Sequence, residues 1–317
     1  MTISGTPMLA TARLSTIGIT VFERGWLSSN NVLFQGKEST ALVDSGYCTH
    51  AEQTVALVQD ALQTRPLDLL LNTHLHSDHC GGNASLQSNW PHLTTLIPPG
   101  QAGAVAHWDS VALSHEPTGQ TCPVFKFQNV LAPGDTIELG DLPWEIHAAK
   151  GHDPHSIVLF EPVSRTLISA DALWENGFGV VFPELEDIAA FDEVADTLSL
   201  IQALNPITVI PGHGAVFEDV DLALQRARSR LNQFVANPEQ HRRYALKVLL
   251  KFKLLEWQSI GFGTLLDWYA RTPYISQIER RREPISPEEM EHSLHSLISE
   301  LAKSHALRVE GDTIVNI

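Results

Sequence analysis

Over the first two hundred residues the hydrophobic positions come in short runs broken by Gly, Asn and Pro. Residues 16–22, 31–34 and 40–43 are apolar or β-branched and bounded by glycine and asparagine, the pattern of short strands. Gly36-Lys37 falls where a hairpin turn is needed, so these runs predict a meander. Val55, Leu57, Val58 and Leu62 then recur at helical spacing within 51–62, and Pro66 opens a nearly continuous apolar run over 67–71. A helix feeding a buried strand is the expectation. The layout recurs with strands over 144–148, 157–160 and 166–169, a helix over 188–204 and a strand over 207–210. Two similar halves that mix hairpins with helices predict sheets covered by helices, an α+β architecture.

Beyond residue 225 the pattern turns helical. Asn237-Pro238 supplies a cap and a first-turn proline, and Leu246, Leu249, Leu250 and the residues after them give a broad apolar face. Ser286-Pro287-Glu288-Glu289 is a capping box, followed at helical spacing by Met290, Leu294, Leu297, Ile298 and Leu301. Residues 307–309 and 313–315 flank Glu310-Gly311-Asp312 as a closing hairpin. Helices ending on a hairpin resemble a winged-helix module. Charge divides the chain at the same place: residues 1–225 hold 7 Lys/Arg against 26 Asp/Glu, and 226–317 hold 14 against 11. The expected organisation is therefore a domain over 1–225 and a mainly helical domain over 226–317.

The chain of 317 residues is 43% hydrophobic and 18% charged, enough for one large core or two smaller ones. Its acidic first two thirds oppose attraction of nucleic acid or anionic membrane surfaces. No apolar run approaches the roughly 18 residues of a membrane helix, and the first 25 residues lack a secretory layout. Cys48, Cys80 and Cys122 form no CxxC pair, which indicates neither a disulfide framework nor a thiolate zinc knuckle. A cytoplasmic location is the expectation.

The chemistry concentrates in Thr73-His74-Leu75-His76-Ser77-Asp78-His79-Cys80-Gly81-Gly82, directly after the buried strand. In extended chain, positions i and i+2 point the same way, so His74 and His76 can grip one ion. Asp78 and His79 fall where the chain must turn, which lets them face a second. Further ligands should come from other strand ends, and His152, Asp171 and His213 each sit where a predicted strand meets a loop. Cys80, beside these ligands, reads as a small packed residue, since a metal-activated solvent molecule needs no side-chain nucleophile.

Taken in order, Asp44 in Leu42-Val43-Asp44-Ser45-Gly46, the His74-x-His76-x-Asp78-His79 run, His152, Asp171 and His213 resemble the five motifs of the metallo-β-lactamase fold superfamily across residues 15–215. The resemblance implies an αββα sandwich with the site at one edge of its two sheets. It implies that His74, His76 and His152 hold one divalent ion, that Asp78, His79 and His213 hold the other, and that Asp171 bridges them. Asp44 would orient ligands without binding metal. Oxygen-reducing di-iron members carry a carboxylate where this chain has His76, so hydrolysis is favoured. Zinc suits the ligand set, with iron or manganese as alternatives.

The expected reaction is cleavage of a small ester, thioester or lactone, as in the glyoxalase II-like and lactonase branches, by a hydroxide bridging two ions, with Asp78 and Asp171 in the catalytic centre. His155, three residues after His152, is a candidate to reach substrate or leaving group. For a substrate carboxylate the first 225 residues offer Arg13, Arg24, Lys37, Arg65, Lys126, Lys150 and Arg165, of which Lys150 is best placed. The run Arg280-Arg281-Arg282 could overhang the site from the tail. Three other readings compete: a nucleic-acid phosphodiesterase gripping a strand with its tail, a β-lactam hydrolase, and a non-catalytic metal-binding protein whose tail mediates interaction or pairing into a homodimer.

Overall fold

The computed structural model describes residues 10–280 and 285–317. Its first sheet runs β1 (Ile19–Phe22), β2 (Asn31–Gln35), β3 (Thr40–Val43), β4 (Leu69–Leu71), β5 (Thr94–Ile97) and β6 (Asn129–Val130), side by side in chain order. The first three strands pair antiparallel as the predicted meander, and β3 to β6 are parallel. The second sheet has the order β11 (Thr208–Pro211), β10 (Thr166–Ala170), β9 (Ile157–Glu161), β8 (Leu142–Ala148) and β7 (Thr136–Leu139), antiparallel except for β10 with β11.

Period-two side-chain direction sorts these strands into two cores. Val32, Phe34, Ala41, Val43 and Leu71 face Trp144, Ile146, Leu159, Ile168 and Ile210 of the other sheet. Their neighbours Leu33, Leu42 and Leu70 point outward and are covered by Val55, Val58 and Leu62 of helix Ala51–Leu62. On the far side Val158, Leu167 and Val209 pack under helices Phe191–Leu204 and Val220–Ala236. Helix, sheet, sheet, helix is the layering that the two halves predict.

The start differs from expectation. Residues Ala10–Thr16 form a helix, and a turn at Gly18, at φ 73, precedes β1. Residue 225, where the charge balance changes, lies inside helix Val220–Ala236. Leu231 and Phe234, beyond that point, still pack in the outer core of the second sheet. Charge and packing therefore change at different places, because a helix can carry arginines on its wet face while its dry face continues the same core.

The tail is mainly helical, with helices Pro238–Trp257, Phe262–Arg271, Pro273–Glu279 and Pro287–Lys303. Ser286 caps the last of these in the predicted capping box. The hairpin β13 (Leu307–Glu310) and β14 (Thr313–Asn316) is joined by β12 (Ser259–Gly261), which the hydrophobic pattern does not mark, into a three-stranded antiparallel sheet. Leu246, Leu249, Leu250 and Leu254 bind the long helix to Leu294, Leu297 and Ile298 in a separate core. Among the described residues no helix is long and apolar enough to cross a membrane.

Candidate metal centre

The strands end at one edge, where two groups of metal-capable side chains meet. The Nε2 atoms of His74 and His152 lie 3.1 and 2.9 Å from Nδ1 of His76. Nitrogens bound to one zinc in a tetrahedron stand roughly 3.3 Å apart, given bonds of about 2.0–2.1 Å. Two N–H groups could not approach so closely, so at least one nitrogen of each pair presents a lone pair. In the second group His213 Nε2 is 3.1 Å from Asp78 Oδ2, and His79 Nε2 is 3.5 Å from Asp171 Oδ1. Asp171 Oδ2 lies between the groups, 3.4 Å from His152 Nε2 and 3.8 Å from His213 Nε2.

The surrounding hydrogen bonds set the tautomers. Asp44, at φ 59 just past β3, accepts from the Thr73 amide at 2.9 Å, the Thr73 hydroxyl at 2.8 Å and His79 Nδ1 at 2.7 Å. With Nδ1 protonated, His79 presents a bare Nε2, which is buried and has no hydrogen-bond partner among the described residues. His152 donates from Nδ1 to the Val180 carbonyl at 2.6 Å. His74 Nδ1 sits 3.2 Å from the Thr73 hydroxyl, whose own proton is given to Asp44. Each arrangement aims a lone pair inward.

Electrostatics favour a cation. Burial and the adjacent imidazoles hold His74 and His76 well below the usual histidine range, so they are neutral donors. Burial also opposes charge on His79, but Asp44, Asp171 and Asp78 outweigh it and raise its pKa well above normal. Burial would lift the Asp171 carboxyl, yet His213, His79 and His152 drive it well below its usual range. Carboxylates beside the neutral imidazoles of His74 and His76, with the buried, unpartnered Nε2 of His79 in their midst, fit a divalent metal, which would take the place of the proton those carboxylates favour on His79.

Backbone shape makes room. A Cβ at Gly212 would lie 2.2 Å from Asp171 Oδ1, and one at Gly179 2.4 Å from His152 Nδ1. Ala170, immediately before Asp171, adopts φ 46, a left-handed conformation costing on the order of 1 kcal/mol in a non-glycine residue. That twist ends β10 and turns the carboxylate toward the imidazoles.

A cavity opens over the cluster, lined by Trp26, Trp174, Phe182, Tyr244, Val248 and Phe252 together with His76, Asp78, His152, Asp171 and His213. Trp26 stacks on His213 at 5.3 Å with 10° between planes, and Trp174 donates its indole N–H to Asp171 Oδ1 at 3.1 Å. Phe182 meets His76 edge-on at 4.8 Å. Asn30 holds the His213 loop by donating to the carbonyls of Pro211 and Gly214. The sequence pattern marks none of these four.

The two candidate substrate contacts require correction. The His155 ring packs against Gly100, where a Cβ would approach its Nδ1 to 2.1 Å, and it does not line the cavity. The buried Asp153 carboxylate accepts the His155 backbone amide at 2.7 Å. Lys150 points instead toward Glu193, 3.9 Å away, with more than half of its side chain exposed. Arg280 is exposed and off the cavity wall, and Arg281 and Arg282 lie outside the described residues. Cys80 is buried 3.7 Å from Cys122, which together with His115 makes a third compact group of possible ligands. Sequence spacing cannot show that contact, since the loop carrying Cys122 folds back from 42 residues away.

Comparison with known proteins bears on the same residues. A family model described as the metallo-β-lactamase superfamily matches residues 24–213. A probable hydroxyacylglutathione hydrolase from Schizosaccharomyces pombe is 25% identical over 219 residues, covering 65% of this chain and 74% of that protein. An acyl-coenzyme A thioesterase from Homo sapiens is 25% identical over 224 residues, covering 62% and 77%. The crystal structure of a metallo-β-lactamase family protein from Thermus thermophilus has the same fold, with TM-score 0.55 at 17% identity over 95% of this chain and 99% of that one. With the matched segment holding every strand-end histidine and aspartate of the cluster, the chain belongs to the metallo-β-lactamase superfamily and is a hydrolase of that fold.

Proposed function

We propose that the chain is a dinuclear metal-dependent hydrolase of acyl thioesters. The observation that carries this reading is the position of Asp171 between two groups of ligand atoms, within 3.8 Å of an imidazole nitrogen of each. His74, His76 and His152 would hold one ion and Asp78, His79 and His213 the other, with Asp171 shared. Zinc suits these donors best. Such a pair of ions supplies Lewis acidity and activates water at neutral pH.

The chain's own groups do the rest. Asp44 keeps the His79 lone pair directed inward, and the Trp174 indole holds Asp171 in one rotamer. Trp26 and Phe182 cover the imidazoles and restrict bulk water. Apart from the ligands themselves, the polar side chains lining the cavity are Ser114, Thr118, Gln120, the indoles and Tyr244, and burial raises the Tyr244 pKa. None is an efficient acid at neutral pH. A thiolate, whose conjugate acid has a pKa of about 8.5, leaves without a proton far more readily than an alkoxide. Thioesters are therefore favoured over simple esters and lactones, in agreement with the name of the human relative.

The acidic field of the sandwich and the absence of Lys or Arg among the described residues lining the cavity over the metal centre disfavour a nucleic-acid strand, whose successive phosphates need a basic track. The test is a panel of thioesters, lactones, β-lactams and phosphodiesters offered to zinc-loaded protein. Release of thiol from thioesters is expected. Turnover of a β-lactam or phosphodiester alone would refute the assignment.

A further inference from the structure

The cavity over the metal centre does not end there. Trp26, Tyr244, Val248 and Phe252 also line a second, adjoining cavity of about 550 Å³, which continues along the helix Pro238–Trp257 to Leu255 and Leu301. Two of the three lysines that line it are already engaged, and the third, Lys303, is exposed at its far end. Lys247 pairs with Glu300 at 3.3 Å, and Lys251 donates to the carbonyls of Ala306 and Ile317. What faces the space is chiefly aromatic and aliphatic.

We infer that this channel holds the acyl chain of the substrate, so that the enzyme selects thioesters of medium to long fatty acids; this rests on the thioesterase reading above. The shared residues place the reacting carbonyl at the metal centre and direct the chain along the helix. From Tyr244 to Leu255 the helix rises about 16 Å. An extended chain advances roughly 1.2 Å per bond, so about a dozen methylenes span it. Water displaced from this surface supplies the binding, and each methylene buried is worth about two- to fourfold in affinity. A short polar acyl group would leave the channel wet and gain nothing from it.

The experiment uses the full-length, zinc-loaded protein and coenzyme A thioesters from acetyl to myristoyl, read as thiol release. kcat/KM is expected to rise about two- to fourfold per methylene until the channel fills near a dozen carbons. Leu255→Glu, at a half-buried position remote from the ligands, should cut the dodecanoyl-to-acetyl ratio of kcat/KM by at least about tenfold, mainly through KM. A flat or falling chain-length profile, or an unchanged ratio in the variant, overturns the channel assignment while leaving the thioesterase reading intact. Failure to cleave any thioester refutes the thioesterase reading instead. The channel is then decided by calorimetry with dodecanoate and butyrate. Dodecanoate should bind with a negative heat-capacity change that Leu255→Glu weakens, and equal affinities for the two acids overturn it.

Discussion

Replacing Asp44 by Asn isolates the effect of a buried carboxylate that contacts no substrate. Its two oxygens accept three hydrogen bonds, from the Thr73 amide, the Thr73 hydroxyl and His79 Nδ1. Asn can still accept the amide through its oxygen. Its NH2 then faces both the Thr73 hydroxyl and His79 Nδ1, donor against donor. The cheapest relief is for His79 to move its proton to Nε2, the atom now aimed bare into the cluster. A ligand that must first change tautomer binds metal less well, and losing such a supporting carboxylate typically costs 10- to 100-fold in affinity, or about 1.4–2.7 kcal/mol. The apoprotein should also lose about 1–3 kcal/mol, because a charge-assisted bond is removed and a buried donor is left unmet. Zinc affinity measured against a competing chelator, alongside urea unfolding of the apoprotein, separates the two effects. Zinc affinity within twofold of the parent would refute the tautomer argument, even if stability fell.

Three other perturbations probe the same frame. Asp171→Ala should remove metal from both positions and abolish turnover with the circular dichroism spectrum retained; full metal content with activity would disprove a bridging role. Trp174→Phe keeps the ring but deletes the N–H to Asp171 at 3.1 Å, and a hydrogen bond to a charged group is worth about 1.5–3 kcal/mol. kcat should fall about tenfold or more, and an unchanged kcat would show that the indole does not position the carboxylate. His241, buried in the first turn of helix Pro238–Trp257 and accepting the Val181 amide at 3.1 Å, has its pKa lowered to about 4, first by burial and then by Arg242. The unfolded chain takes up this proton near pH 6.5 and the folded chain near pH 4. Stability should therefore decline as pH falls through that window, by up to about 3 kcal/mol. His241→Gln should remove that part of the slope; parallel pH profiles would count against it.

Where local pattern determines local structure, the sequence was legible. The His74 to Gly82 segment follows directly from the end of β4, and His152, Asp171 and His213 lie at strand ends as expected. What it hid depends on contacts distant in the chain. Trp26 reaches His213 across 187 positions by stacking, and no periodicity marks such a pair. Leu246, Leu249 and Leu250 read as one broad apolar face with their neighbours, but the helix has two dry sides. Leu246, Leu250 and Leu254 enter the tail core, Phe252 walls the cavity, and Leu249, Tyr244 and Val248 between them touch both. Hydrophobicity alone cannot say which side meets protein and which meets substrate. His155 and Lys150 misled for the converse reason: closeness to a ligand in sequence does not set side-chain direction.

The two dry sides of helix Pro238–Trp257 give the molecule an unusual separation of labour. The metal ligands belong to the sandwich, whereas, on the channel assignment, selection of the acyl group would fall to a helix anchored elsewhere. Exchanging residues on that single cavity-facing stripe could retune selectivity without replacing any ligand. Conversely, a substitution that loosens the leucines behind it would reach catalysis at a distance, by tilting the wall on which the substrate rests.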